Sequence, residues 1–534
     1  MKKIIKLTFL PFLFFTFIFS IYFSSAQGIN SVLEYPQYFT TEALIKYGDL
    51  DMSHFQNDPH YFVWQDLFYK DGQTLGVRGY VFSFINIPIH LLSSYTKHFF
   101  NLSDFPKDGV SDVPNFAYEL SIASFYSIFM VISLIVIWNL IKNITKKPCI
   151  AYLITFSLAF GTYMWKYAPI LMRHGIEVAI LSLVLNNLWT ILSKNAPLKN
   201  LIVIVLLLSI AFGISPTVFV SLSFVFFLTL LYLISKKHKK IDFIKKLLAP
   251  TLIGVCGIGL NIIGNNYWYG SLYFYQWSKM PVFLNVVGDQ WSKMQMATPT
   301  FPTIFYILFG YGKLPISIFS NYLKWPETLQ LVISNKYAAS YNFFGIFSTS
   351  LFLLPSLFVL FFPFSKNIKY FSIICLITFM SGILLTINKT DFWGGPTYDT
   401  RFFFSFIIAL VIPLSLVVSH LMSRFSKKNQ NIFIFLFVIS VAYSVFSGWL
   451  GVMNMLKPAQ SGEHRISIDL LNWKYVLPNT TLKEVLDATF MNRKNYLIPI
   501  IFSTIIYLIF LIKNFITSSL NHLNRSNNFN KHIF

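Results

Sequence analysis

Acidic residues concentrate near the start of the chain, in a spacing that could carry chemistry. Glu34 follows the first apolar segment, and Asp49 and Asp51 lie further on, separated only by Leu50. A carboxylate can take a proton from a hydroxyl group, or it can bind a divalent cation or an acceptor group through its oxygens. An extended chain would point Asp49 and Asp51 to opposite sides, which makes them poorly suited to act as a pair. The alternative is a solvated turn.

Basic residues that could face an anionic ligand recur along the chain. A guanidinium group can hold phosphate oxygens in a bidentate fork. The alternative is anchoring of these long side chains at a membrane interface, which is favoured for Lys166. Trp393, Gly394 and Gly395 lie before one of the arginines, and glycines would let the backbone approach a ligand. The basic candidates are Arg78, Arg401, His174 and Lys166.

Composition decides what kind of body carries these residues. Hydrophobic residues make up 55% of the 534 positions, charged residues 12%, and the mean hydropathy is +0.59. Soluble domains contain roughly 25% charged residues. Apolar segments of 18 residues or more recur from end to end, and each is long enough to cross a bilayer core of about 30 Å. The sequence predicts one integral-membrane domain over 1–534, an all-α polytopic fold.

Loop chemistry predicts about twelve membrane spans. Short connections rich in Lys and Arg mark the cytoplasmic side, and here they fall at every second turn, which places both termini inside the cell. Of the 21 acidic residues, only Asp242 falls on the inner side. The net charge of +21 is then a topology signal and does not indicate nucleic-acid binding. The predicted spans are 4–24, 117–141, 148–163, 174–193, 200–214, 216–235, 247–265, 342–364, 370–388, 402–422, 431–453 and 496–513.

The long loops are all predicted on the outer face, which is where function is expected. They are 25–116, with most of the catalytic candidates, 266–341, 389–401 and 454–495. Two shorter apolar stretches, Tyr80–Leu92 and Ile304–Phe319, are interpreted as re-entrant or interfacial helices on that face. The first span could also be a cleaved signal peptide, but its length favours retention in the membrane.

Three stretches resemble GT-C glycosyltransferases, polytopic enzymes that use polyprenyl-phosphate sugars and include protein mannosyltransferase-like and aminoarabinose transferase-like members. The first is an acid after the first span, a short helix predicted from Tyr38 to Tyr47, the sequence Gly-Asp-Leu-Asp, and an Asp-Gly turn followed by Arg78. The second runs from Gly161-Thr162 to Arg173-His174. The third runs from Asp391-Phe392-Trp393-Gly394-Gly395 to Arg401.

The resemblance implies a GT-C-like fold and transfer of a hexose or pentose at the outer face of the cell membrane. Glu34 would be the catalytic base, with Asp51 and Asp49 as second-rank catalytic candidates. Glu34 is followed by Tyr35, whereas many relatives carry paired acids there, which leaves the donor sugar open. The resemblance assigns donor-phosphate binding to Arg78, Arg401, His174 and Lys166, and substrate binding to Trp393, Gly394 and Gly395.

The partners implied are a polyprenyl-phosphate sugar lipid, the membrane, and a glycan, lipid or protein acceptor. A divalent cation is the one cofactor left open. Two other functions remain as alternatives: a flippase or transporter of lipid-linked sugars, and an enzyme like an O-antigen polymerase or ligase. The transporter reading is weakened because no charged residue falls in the middle of a predicted span. The polymerase reading is weakened because the 454–495 loop is short.

Overall fold

The computed structural model is mostly helical, as the composition predicts. The predicted span 496–513 and nearly all of the loops 266–341, 389–401 and 454–495 lie outside the residues that the structure describes. Those residues are 2–25, 35–57, 67–76, 79–99, 125–194, 197–236, 240–270, 304, 307–309, 345–387 and 403–455.

Fourteen α-helices are described, with two 3-10 helices at Met52–Phe55 and Leu351–Phe361 and one β-hairpin of Leu67–Lys70 (β1) and Gln73–Gly76 (β2). The α-helices are α1 (Lys2–Ser24), α2 (Tyr35–Lys46), α3 (Tyr80–Phe99), α4 (Ser127–Thr145), α5 (Pro148–Phe160), α6 (Met164–Tyr167), α7 (His174–Ser193), α8 (Leu198–Ile214), α9 (Pro216–Lys236), α10 (Lys240–Tyr269), α11 (Ile346–Thr349), α12 (Lys366–Ile387), α13 (Phe404–Arg424) and α14 (Lys427–Met455).

The chain is a multi-pass membrane protein. Seven helices in the described residues are long and apolar enough to cross a membrane, namely α4, α7, α9, α10, α12, α13 and α14. Shorter apolar helices fall in four more of the predicted spans. One of these differs from expectation: 342–364, predicted as a single span, forms the short α11 and then a 3-10 helix with Pro355 inside it.

The two ends of the helix bundle differ in charge. At the basic end, the Lys147 Nζ donates to the Ser419 carbonyl oxygen at 3.1 Å, and the Lys236 Nζ donates to Asn367 Oδ1 at 3.0 Å. The first loop gathers at the opposite end, called the loop end below, where Trp165 Nε1 donates to Ser25 Oγ at 3.2 Å. The helix ends that carry the basic connections are therefore in contact with one another, as the predicted alternation of basic and long loops requires. Which end faces the cytoplasm stays a prediction.

The described part of the first loop folds into one unit, called the first-loop unit, of α2, the 3-10 helix Met52–Phe55, the hairpin and α3. The hairpin turns at Asp71 (φ 50°) and Gly72 (φ 82°), the left-handed pair that suits a two-residue hairpin. The unit docks on α10, where Tyr269 Oη donates to the Gly76 carbonyl oxygen at 3.1 Å. Helix α2 begins three residues before the predicted Tyr38 and ends one residue before Tyr47.

Helix α3 is polar inside and apolar outside. Four polar residues on its inner face are buried: Ser83, Asn86, His90 and Ser93. The exposed residues on its other face include Phe84, Leu91, Leu92 and Tyr95. A helix of this kind suits a site where lipid lies outside and a polar interior lies within. The structure extends it to Phe99, beyond the predicted 80–92, and the second predicted helix of this kind, 304–319, lies mostly outside the described residues.

Candidate active site

Asp51 is held inside the first-loop unit by three hydrogen bonds. Its Oδ1 accepts from the backbone N–H groups of Ser53 at 2.9 Å and Thr74 at 2.8 Å, and its Oδ2 accepts from Ser53 Oγ at 2.6 Å. It thereby caps the 3-10 helix and joins it to the hairpin. Burial raises the pKa of this carboxyl, but the bonds from Ser53 and Thr74 and the nearby His54 outweigh it, so the pKa lies below its ordinary value.

Asp49 faces a different partner and is more open. Its Oδ2 lies 2.9 Å from His54 Nε2, and its side chain is 31% exposed. The His54 ring stacks on Tyr47 with ring centroids 4.1 Å apart. Asp49 Oδ1 also accepts from the backbone N–H group of Asp51 at 3.0 Å, so the two aspartates are neighbours whose carboxylates bind different donor groups. Within the described residues, no group of three His, Cys, Asp or Glu side chains is arranged to hold a metal ion.

A buried carboxylate at the start of α7 gathers several polar groups. Glu177 Oε1 forms an ion pair with Arg173 Nε at 3.0 Å. Its Oε2 lies 3.1 Å from His174 Nδ1 and accepts from Ser405 Oγ at 2.6 Å. All four side chains are buried. Glu177 therefore ties Arg173 and His174 to the beginning of α13, and we call these four residues the Glu177 network.

Lys166 lies next to this network. The short helix α6 is fully buried, and the Lys166 Nζ lies 5.2 Å from the centroid of the Tyr167 ring, a cation–π contact. The Tyr167 ring in turn lies 5.5 Å from the His174 ring. The structure thus brings together Lys166 and His174, two of the four residues predicted to bind phosphate. The favoured alternative for Lys166, anchoring at a membrane interface, does not match its 6% exposure.

A second carboxylate–imidazole pair lies in the first-loop unit. His90 Nδ1 on α3 lies 3.2 Å from Glu42 Oε1 on α2, and both side chains are buried. The half-exposed Lys46 pairs with the other oxygen of Glu42 at 3.3 Å. The His90 ring also lies against the ring of Tyr38, with centroids 5.4 Å apart.

Tyr126 connects the two buried pairs. Its hydroxyl group donates a hydrogen bond to Asn86 Oδ1, one turn before His90 on α3. On its other side, a Cβ atom at Gly175 would lie 3.7 Å from the Tyr126 carbonyl oxygen, and Gly175 is next to His174. The inner face of α3 and the start of α7 are therefore neighbours at the loop end.

Six of the predicted site residues lie outside the described residues: Glu34, Arg78, Arg401, Trp393, Gly394 and Gly395. Their roles stay predictions. Glu34 directly precedes α2 in the sequence, and Arg401 comes four residues before Ser405, the residue that contacts Glu177.

Sequence reasoning did not assign a role to Glu177 or Ser405, nor did it single out Glu42 or His90. Glu177 was detectable, because it follows Arg173 by four residues and His174 by three, the spacing at which side chains meet on a helix. No local signal marks Glu42 and His90, which are separated by 48 positions.

Neither a protein-family model nor a curated protein matches the chain. Its structure is similar to that of the Archaeoglobus fulgidus oligosaccharyltransferase crystallised with zinc and sulfate, with 13% identity and a TM-score of 0.43 over 82% of this chain and 52% of that one. The chain spans about half the length of that protein.

Two structures of ArnT from Cupriavidus metallidurans are similar at the same TM-score of 0.43. The apo form has 11% identity over 84% of this chain and 70% of that one. The form bound to undecaprenyl phosphate has 10% identity over 85% and 70%. Since these similarities are loose, the functional proposal rests on the chain's own residues. The chain is similar to solved GT-C glycosyltransferases, the class that its motifs resemble.

Proposed function

We propose that the protein is a glycosyltransferase that moves a hexose or pentose from a polyprenyl-phosphate carrier to an acceptor at the loop end, on the outer face of the membrane. The observation that carries the proposal is the Glu177 network. It places Arg173 and His174, with Lys166 beside them, in the interior of an apolar bundle close to one end. Burying charged groups is costly, and ionisable residues inside membrane bundles usually mark ligand sites.

Cations at this position suit the phosphate of a lipid carrier. The carrier's lipid tail would remain in the bilayer, while its phosphate would reach the buried end of α7. His174 presents Nδ1 to Glu177, so its Nε2 is directed to other groups. We propose that Arg78 and Arg401 complete the phosphate site from the neighbouring loops, because guanidinium groups hold phosphate oxygens in pairs.

The transfer needs one base and one stabilised leaving group. An acceptor hydroxyl oxygen forms a bond to C1 of the sugar while the bond from C1 to the phosphate oxygen breaks. The acceptor proton passes to Glu34, and the bonding electron pair leaves with the phosphate, whose charge the cationic residues stabilise. One direct displacement inverts the configuration at C1. The sugar carries developing positive charge at C1 in the transition state, as in glycoside hydrolysis.

The remaining candidates differ in how accessible they are. Both oxygens of each aspartate have a partner within the first-loop unit, but Asp51 is buried, whereas the side chain of Asp49 is 31% exposed beside His54. We therefore propose Asp49, and not Asp51, for contact with the acceptor or with a divalent cation. The acceptor itself would be a glycan, lipid or protein, and Trp393, Gly394 and Gly395 would line its approach.

The proposal is tested with purified protein in nanodiscs and a panel of short-chain polyprenyl phosphates bearing glucose, mannose or arabinose. We expect mass spectrometry to detect a new glycosidic bond, and Glu34→Gln to reduce the transfer rate about 10²–10⁴-fold. Asp71→Asn, at the exposed hairpin turn, is the matched acid-to-amide control and should be active. Movement of the lipid-linked sugar from one leaflet of a vesicle membrane to the other, with no new glycosidic bond, would instead identify a flippase.

A further inference from the structure

We propose that the inner face of α3 binds the carbohydrate ring of a substrate, an inference that rests on the proposed function and names a subsite within it. The first observation is a pair of buried nitrogens that have no hydrogen-bond partner within the described part of the chain: Asn86 Nδ2 and His90 Nε2. Asn86 is 0% exposed and His90 1%. Such groups normally find a partner, because an unpaired buried donor or acceptor has lost its hydrogen bond to water without replacing it.

Both nitrogens can form a hydrogen bond with a hydroxyl group. The Asn86 amide accepts from Tyr126 through Oδ1, so its Nδ2 is a donor. His90 presents Nδ1 to the Glu42 carboxylate, which can only accept when ionised. Nε2 of His90 is an acceptor when Nδ1 alone carries a proton and a donor when both ring nitrogens do. A hydroxyl group both donates and accepts, so it pairs with Nε2 in either form and with the Asn86 donor, which lies a helical turn, or roughly 6 Å, away along α3.

Charge at this face favours a neutral ligand over an anion. Glu42 pairs there with His90 and with Lys46, and the Lys46 side chain is 56% exposed. A phosphate group at His90 would therefore approach a buried carboxylate. The ring of Tyr38 against His90 adds an apolar surface of the kind on which sugar rings pack. A polyhydroxylated ring fits all of these groups.

The position of the subsite relates it to the phosphate site. Tyr126 lies between Asn86 and the start of α7, so a sugar on α3 would be next to a phosphate held by Arg173 and His174. Donor and acceptor sugars share this hydroxyl chemistry. The geometry points to the sugar of the donor, since it is joined directly to that phosphate.

The test compares lipid binding with and without a sugar. Binding of bare decaprenyl phosphate, and of its glucosyl, mannosyl and arabinosyl esters, is measured in nanodiscs without any acceptor present. Wild-type protein should bind one ester more tightly than the bare phosphate. Asn86→Ala and His90→Ala should each reduce that preference about tenfold while binding of the bare phosphate is unchanged. Leu91→Ala, on the exposed face beside His90, is the control and should behave as wild type.

Each other outcome has a distinct meaning. If wild-type protein binds neither bare nor glycosylated lipid phosphate, the proposed function fails and the subsite with it. If it binds the bare phosphate but prefers no ester, or if the variants keep the wild-type preference, only the subsite is wrong. The binding assay is then repeated with a saccharide acceptor added. If the variants weaken binding only in that second assay, α3 binds the acceptor sugar and the donor assignment is overturned. His90→Gln and Asn86→Ser repeat the comparison should an alanine variant fail to fold.

Discussion

Replacing Glu177 tests whether one buried carboxylate orients the proposed phosphate site. Its two oxygens meet Arg173 Nε at 3.0 Å, His174 Nδ1 at 3.1 Å and Ser405 Oγ at 2.6 Å. Glu177→Gln keeps the shape of the side chain but removes the charge and turns one acceptor into a donor. Glu177→Ala removes every contact. Ser405→Ala removes one hydroxyl group and leaves the ion pair in place.

The expected losses of stability follow from what each change leaves behind. Removing one partner of a buried ion pair costs about 3–5 kcal/mol. We expect Glu177→Ala to fall in that range, Glu177→Gln near its lower end, and Ser405→Ala at about 1.5–3 kcal/mol, the range for a hydrogen bond to a charged group. Thermal unfolding in nanodiscs should rank the three variants in this order.

Activity separates orientation from folding. With folded protein, Glu177→Gln should raise the KM for the lipid donor by about tenfold or more, which corresponds to about 1.4 kcal/mol of lost binding. The double variant Arg173→Met, Glu177→Leu replaces the ion pair by apolar groups, a change that is often neutral or stabilising. It should regain stability but not transfer. A Glu177→Gln protein with wild-type KM, kcat and melting temperature would refute the reasoning, as would recovery of transfer in the double variant.

Two further predictions concern the fold. Asp51→Ala should loosen the first-loop unit by about 1 kcal/mol through loss of the cap at Ser53, seen as faster hydrogen exchange over residues 49–57 and 67–76. The pKa of Asp51 is lower in the folded protein than in the unfolded chain. Its contribution to the stability of the first-loop unit is therefore complete above the ordinary aspartate pKa of about 3.9 and is lost as the pH falls through the lower folded value. Hydrogen exchange of the wild-type protein should rise only in that acidic window. In α10, Gly257→Ala should lower the melting temperature, since its Cβ would lie 2.7 Å from Ser209 Cβ on α8. Gly259→Ala should not, because its Cβ would meet no atom of another helix within 4 Å, and equal effects would contradict the packing argument.

The spans were predictable because a bilayer forces the backbone to satisfy its own hydrogen bonds, so long apolar segments must be helical. Basic connections then fixed which helix ends share a side, and the contacts of Lys147 and Lys236 at one end agree with that grouping. The 3-10 helix after α11 was not predictable from hydropathy, which measures the apolar character of Leu351–Phe361 but not its backbone geometry. The hairpin turn at Asp71 and Gly72 was predictable, because Asp-Gly is a preferred residue pair in two-residue turns with left-handed backbone angles.

The contacts of the candidate site were also predictable only in part. Arg173, His174 and Glu177 occur within five residues, so their meeting follows from helical spacing. Ser405 joins them from 228 positions away, and only the packing of α13 against α7 brings it there. For Glu42 and His90 the sequence offers no spacing rule at all, and their pairing depends on how α2 lies on α3. Local chemistry could be read from the sequence, whereas partners supplied by tertiary packing could not.

Each of the two carboxylate–imidazole pairs is proposed to bind a different part of the substrate: the Glu42–His90 pair its sugar ring, and the Glu177–His174 pair its phosphate. Both Glu42 and Glu177 lie at the Nδ1 atom of a histidine, but the surroundings differ in charge, with Arg173 and Lys166 beside the second pair and mainly solvent-exposed Lys46 beside the first. A glycosyl phosphate matches this difference in charge. Its neutral sugar ring suits the surroundings of Glu42 and His90, and its anionic phosphate suits those of Glu177 and His174.

Under both proposals the junction of ring and phosphate, which is the reacting C1, falls beside Tyr126. Tyr126→Phe removes the hydroxyl group that holds Asn86, so we expect it to slow transfer and weaken the preference for the glycosyl ester. Binding of bare decaprenyl phosphate should persist, because Glu177 still holds Arg173 and His174 in this variant. A Tyr126→Phe protein that loses the bare lipid as well would place the phosphate on the α3 side and reverse the arrangement.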